Sequence, residues 1–115
     1  MPNSVVGSYV DQLLRGVVEP LILRIISELP SHGYHIAKEL ERRSAGYFCL
    51  TASTVYTALR RLEADGLVSS TWQIVSAAPR RRYYELTDEG RRILSERLRG
   101  WERFALAAEQ VIARA

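Results

Sequence analysis

Apolar residues recur in pairs early in the chain, at Leu13/Leu14, Val17/Val18, Leu21/Ile22 and Ile25/Ile26, followed by Leu29. That spacing describes one buried face of a helix, not the alternation of a strand. Gly16 and Pro20 interrupt it. Proline at 20 removes the hydrogen bond to the Gly16 carbonyl, so the pattern predicts a leading helix over 4–15 and a second over 18–29, with the break or kink between Gly16 and Pro20. Pro30-Ser31-His32-Gly33 is a breaker cluster. A short helix follows over 33–43, with Ile36, Ala37 and Leu40 inward and Lys38, Glu39, Glu41, Arg42 and Arg43 outward. Ser44-Ala45-Gly46 ends it, and Tyr47-Phe48-Cys49-Leu50 reads as an apolar connector that plugs the core.

Thr51 is a good N-cap for a helix over 52–65, which Gly66 stops at the position after its C-cap. Val55, Leu59 and Leu62 form its buried side, whereas Ser53, Thr54, Tyr56, Thr57, Arg60 and Arg61 form the other. Residues 67–74 alternate weakly and are rich in β-formers, so they predict a strand. A turn over 75–79 leads to a second strand over 80–86. Thr87 caps a last helix that runs to about Ala113, with Asp88 and Glu89 in the first turn, where carboxylates suit the helix dipole. Its apolar residues Leu94, Leu98, Trp101, Ala105, Ala108 and Ile112 are spaced 4, 3, 4, 3, 4, a heptad seam for packing lengthwise on another helix. Ile93, Phe104 and Val111 widen the stripe.

The order is therefore mainly α with a small β hairpin: short helices, a hairpin with a basic end, then one long amphipathic helix. This is the arrangement of a winged helix-turn-helix with a C-terminal dimerisation helix, divided at 1–87 and 88–115. A helix of this kind fits the major groove and offers side chains to base edges, while the wing sets Arg against backbone or minor groove. The helix over 52–65 suits that task, because its exposed side has no acidic residue before Glu63.

Composition narrows the alternatives. The 115 residues make one domain, and 47% hydrophobic residues argue against disorder. One cysteine excludes an internal disulfide framework and a Cys-rich zinc site, and fits a reducing cytoplasm. No apolar run approaches the roughly 18 residues of a membrane span, and the N-terminal stretch lacks the basic start and cleavage site of a signal peptide; a cytoplasmic location is expected. The net charge of +3 is modest, but residues 1–66 carry seven basic and seven acidic groups, so the whole excess lies in 67–115. Its densest point is Arg80-Arg81-Arg82. Strand alternation puts Arg80 and Arg82 on one face and Arg81 on the other.

Catalytic patterns are lacking: there is no Gly-x-Ser-x-Gly elbow, HExxH or Gly-rich phosphate loop, so no enzyme and no cofactor is expected. His35 and Glu39 stand four apart, but His32 precedes the helix and Cys49 is distant, so no zinc spacing results.

Several motifs, taken in order, resemble those of PadR-family transcriptional regulators. They are His32-Gly33-Tyr34, then Thr54-Val55-Tyr56-Thr57-Ala58-Leu59 followed by Arg61-Leu62-Glu63 and Asp65-Gly66-Leu67, and finally Arg81-Arg82-Tyr83-Tyr84-Glu85-Leu86-Thr87 with Gly90. The likeness spans about 13–112 and is to the short branch with a single C-terminal helix. Thr57 replaces a frequent proline, and Ala77-Ala78 replace the glycine common at the wing tip. The resemblance implies that Tyr34, Lys38, Ser53, Thr54, Tyr56, Thr57 and Arg60 lie near DNA, joined by Arg80 and Arg81 from the wing. Tyr34 and Tyr56 have a second reading as caps on a small core, and Arg60 and Arg61 as ordinary solvated charges.

Trp101, 17 residues after Tyr84 as in the multidrug-responsive branch, has two readings. It is a core aromatic of the seam, or, as the resemblance implies, it lines a pore between subunits and stacks on a planar aromatic small molecule, with Ala105 and Ala108 leaving room. The seam itself, through Leu94, Leu98, Trp101, Phe104, Ala108 and Ile112, predicts a homodimer, because a chain this short has little reason to expose it. The expected function is a ligand-responsive repressor that binds a pseudo-palindromic operator in double-stranded DNA. A winged-helix protein-interaction module would instead show an acidic or apolar face on 52–65, which is lacking, and a small-molecule binding protein of the same fold would bind ligand but no DNA.

Overall fold

The computed structural model describes residues 3–73 and 80–113, with side chains from residue 16 onward. Its elements are α1 (Asn3–Glu28), α2 (Gly33–Arg43), α3 (Ala52–Ala64), β1 (Val68–Gln73), β2 (Arg81–Leu86) and α4 (Asp88–Ile112). The turn expected over 75–79 lies outside the described residues.

The expected break between two N-terminal helices does not occur: α1 is one helix with Pro20 inside it. Val18, Ile22 and Ile25 are all buried and stand four and three residues apart. All three also lie within the expected second helix, so the difference is that the preceding stretch joins it without interruption. A proline inside a helix costs about 3 kcal/mol, whereas each buried aliphatic side chain contributes roughly 1.5–3 kcal/mol. Gly16 is exposed, so water can meet the carbonyl that Pro20 leaves without a donor.

The two short helices begin on side-chain caps. Thr51 Oγ1 accepts the Thr54 N–H at 3.1 Å, and His32 Nδ1 accepts that of His35 at 3.2 Å. Gly66, at φ 77°, lets the chain leave α3 so that the Leu67 N–H reaches the Leu62 carbonyl at 2.9 Å. Thr87 Oγ1 caps α4 through the Gly90 N–H at 3.0 Å and donates back to the Gly66 carbonyl at 2.7 Å.

β1 and β2 pair antiparallel, with Val68 opposite Leu86 and Trp72 opposite Arg82. The breaker cluster proves to be more than a loop. Ser31 is buried and exchanges two backbone bonds with Tyr84, at 3.0 and 2.9 Å, which fastens the start of α2 to β2. The core lies where α1, α2, α3 and the hairpin meet, with Ile22, Leu23, Ile36, Val55, Leu59 and Leu62 sealed from solvent.

Two expectations of burial fail at the edges. Leu29 is exposed, because α1 has ended at Glu28. In the 47–50 connector only Phe48 and Leu50 pack on the core, while Tyr47 and Cys49 face solvent.

Candidate nucleic-acid interface

α3 turns Val55, Ala58, Leu59 and Leu62 inward and leaves Ser53, Thr54, Thr57 and Arg60 exposed. These four polar side chains share one face and are partly ordered by local bonds. Thr57 Oγ1 donates to the Ser53 carbonyl at 3.1 Å, and Arg60 donates to Thr57 Oγ1 at 3.3 Å. The Thr54 hydroxyl lies 3.0 Å from that of Thr51.

Beside α3 opens a cleft of about 610 Å³ between the start of α2 and the hairpin. Tyr34, Tyr56, Arg60, Arg80 and Arg81, all picked out by sequence, line it together with His32, Glu63, Trp72, Arg82 and Tyr84. Lys38 sits at its edge, with Nζ 5.4 Å from the centre of the exposed Tyr34 ring.

The arginine run obeys the strand alternation. The guanidinium carbons of Arg80 and Arg82 lie 5.1 and 5.3 Å from the centre of the Trp72 ring, cation–π geometry that holds both on one face. Arg81 points the other way, and its Nη1 stands 2.9 Å from His32 Nε2. Glu63 is the one carboxylate among the lining residues, and it is occupied: Ser70 donates to it at 2.7 Å and Arg82 lies at 3.8 Å. Burial, then the charges of Arg81 and His35, lower the His32 pKa and favour a neutral ring. Burial also raises that of Tyr84, keeping the phenol protonated.

Of the residues with two readings, Tyr56 is half-buried and its hydroxyl accepts the Gly33 N–H at 3.2 Å, so it joins α3 to α2 while its ring borders the cleft. Arg60 faces the cleft. Its neighbour Arg61 does not, because it donates to Glu19 of α1 at 2.6 Å. Glu19 is largely buried and also lies 3.6 Å from Arg97 of α4, so one carboxylate links three helices.

His32 and Trp72 were not among the expected site residues. Trp72 was readable once the hairpin register was known, since it stands opposite Arg82. His32 carried a signal in its place just before α2, but its partner Arg81 lies 49 residues away.

On α4, Leu94 is buried and Leu98 half-buried, yet Trp101, Phe104, Val111 and Ile112 are exposed, and Ala105 and Ala108 are half-buried. Trp101 is thus no core residue of the single chain. Its ring lies 5.9 Å from that of Phe104. Among the described residues no group of three or more His, Cys, Asp or Glu is placed to hold a metal ion, and no helix is long and apolar enough to cross a membrane.

Helices α2 and α3 with a basic hairpin beside an exposed polar helix face define the winged helix-turn-helix class of transcription regulators. Residues 22–96 match the transcriptional regulator PadR-like family, and the chain belongs to that family. Transcriptional regulator Rv3488 of Mycobacterium tuberculosis is 35% identical over 91 residues, 79% of this chain and 81% of that protein. A PadR-like transcriptional regulator from Bacillus cereus has the same fold, with a TM-score of 0.78 at 28% identity over 90% of this chain and 99% of the other. A PadR family transcriptional regulator from Eggerthella lenta matches at 32% identity and a TM-score of 0.78, over 98% and 96%. The chain is therefore a DNA-binding transcriptional regulator.

Proposed function

We propose that this regulator is a homodimeric repressor whose hold on a pseudo-palindromic operator is altered by a small planar aromatic molecule. The observation that carries the DNA part is the cleft beside α3, which Arg60, Arg80, Arg81 and Arg82 line with a single carboxylate, Glu63, that lies 3.8 Å from Arg82. Ser53, Thr54 and Thr57 would then meet base edges in the major groove, and Tyr34, Lys38, Tyr56 and the wing arginines the flanking backbone. The exposed apolar stripe of α4 supports pairing of two copies along residues 88–115, with 1–87 as the DNA-binding part. Two copies of Trp101 related by two-fold symmetry would offer flat walls for an aromatic ligand, with Ala105 leaving space.

Binding to duplex DNA, followed by anisotropy across a salt series, tests this reading. Arg80→Ala is expected to reduce the slope of log affinity against log salt by about 0.9, one phosphate contact. An unchanged slope and affinity for the Arg80→Ala, Arg81→Ala double variant would mean that the wing does not touch a DNA phosphate. In a Trp72→Phe background, planar cationic dyes should quench the remaining Trp101 fluorescence, and a flat titration removes the ligand from the proposal.

A further inference from the structure

Both ring nitrogens of His32 face hydrogen-bond donors. Nδ1 accepts the His35 N–H at 3.2 Å, the bond that caps α2. Arg81 Nη1 lies 2.9 Å from Nε2 and 3.5 Å from Nδ1, and a guanidinium only donates. A neutral imidazole has one acceptor nitrogen, so it cannot serve both. The His35 N–H is fixed in the helix backbone, so Nδ1 keeps the acceptor role and Nε2 carries the proton. That leaves two donors, Nε2–H and the Arg81 guanidinium, side by side at the edge of the cleft with no acceptor between them.

The surroundings hold the ring in that attitude, and among the described residues Nε2 has no hydrogen bond to an acceptor. Tyr83 meets His32 edge-on at 5.2 Å, and the Tyr34 ring lies nearly parallel to it at 6.4 Å. His35 is the other ionisable neighbour on α2, at 6.1 Å. Glu63 is spent on Ser70 and Arg82, and at the helix start the Gly33 N–H donates to Tyr56 and the His35 N–H to His32. Arg60, Arg80 and Arg82 make the rest of the cleft cationic.

We propose that neutral His32 and Arg81 together grip one phosphate of the DNA backbone, each donating a hydrogen bond to it, His32 through Nε2–H. This rests on the DNA-binding reading above and adds a residue that contributes direction without charge. The phosphate accepts both bonds, the cap of α2 stays intact, and no proton is taken up. Because the ring is neutral, its contact displaces no counterion, unlike that of Arg81.

Nitrogen NMR of the free protein, which contains only two histidines, reads the tautomer directly. His32 should show a protonated Nε2 and a bare Nδ1 near neutral pH, and the opposite tautomer overturns the proposal. The second measurement is anisotropy with a labelled mixed-sequence duplex of about 30 base pairs at several salt concentrations. His32→Asn keeps a side chain that caps α2, so its thermal midpoint should stay near wild type. Its affinity should fall about tenfold, in the range of a lost hydrogen bond to a charged group, with the salt slope unchanged. Arg81→Ala should lower both affinity and slope. Wild-type affinity for His32→Asn, or a slope reduced as for a lost cation, overturns the proposal while leaving DNA binding in place. A wild-type protein that binds no duplex overturns the DNA-binding reading and this one with it.

Discussion

A β-carbon on Gly90 would stand 2.0 Å from the carbonyl oxygen of Leu67. That oxygen accepts the Thr87 N–H at 3.1 Å, so it belongs to the joint where β2 turns into α4 and cannot retreat without undoing it. Gly90→Ala should therefore lower stability by about 3 kcal/mol, the upper range for overpacking, in chemical denaturation; a loss under about 1 kcal/mol would show that the joint yields. His32 sets a second expectation at this scale. Its pKa is lowered in the folded chain by burial, Arg81 and His35, so the unfolded chain binds the proton first as pH falls. Stability should be full above the ordinary histidine range and decline as pH drops through it to the lower folded value. Thermal midpoints of wild type and His32→Asn, alike near neutral pH, should separate as pH falls through that window, with wild type dropping further; parallel curves would exclude His32 as the source. The arginine run was legible at this scale because a strand alternates its faces. Which surface each face meets was not: Trp72 and His32 enter only through the pairing of β1 with β2 and the bridge from Ser31 to Tyr84.

Among elements, Glu19 is the shared contact of α1, α3 and α4. Its side chain is only 12% exposed and holds Arg61 at 2.6 Å and Arg97 at 3.6 Å. Glu19→Ala would leave two cations facing each other across a gap, and a loss of about 2 kcal/mol is expected in denaturant unfolding, less than for a fully buried pair because both arginines are partly solvated. An unchanged midpoint would mean that the three helices are held by apolar contacts alone. The same triad explains why adjacent arginines on α3 part company. Arg60 and Arg61 look alike in sequence, but Glu19 lies 42 residues before Arg61 and no local pattern announces it. α1 teaches a related point. Gly16 and Pro20 carry a local cost that predicts a break, yet the helix runs through, because the one carbonyl that Pro20 leaves without a donor is that of the exposed Gly16, where water can meet it.

For the whole molecule, α4 divides into an anchored half and an unpartnered one. Leu94 is sealed and Leu98 partly covered, whereas Phe104, Val111 and Ile112 are 64, 85 and 75% exposed. On the proposed pairing along α4, Trp101→Ser with Phe104→Ser should shift sedimentation from dimer to monomer, and it should weaken DNA binding by removing the second half-site. A double variant that sediments as wild type would place the pairing surface elsewhere.

Periodicity along the chain determined the order of elements, the polar face of α3, the alternation of Arg80 to Arg82 and the apolar stripe of α4. Those features depend on the 3.6 and 2.0 repeats of side-chain direction, which neighbouring residues settle among themselves. Tertiary structure decided the rest: that Arg61 turns to Glu19 and Arg81 to His32, and that Trp101 lies outside the core of its own chain. Each depends on surfaces brought together from distant parts of the sequence, where burial and charge pairing outweigh local preference.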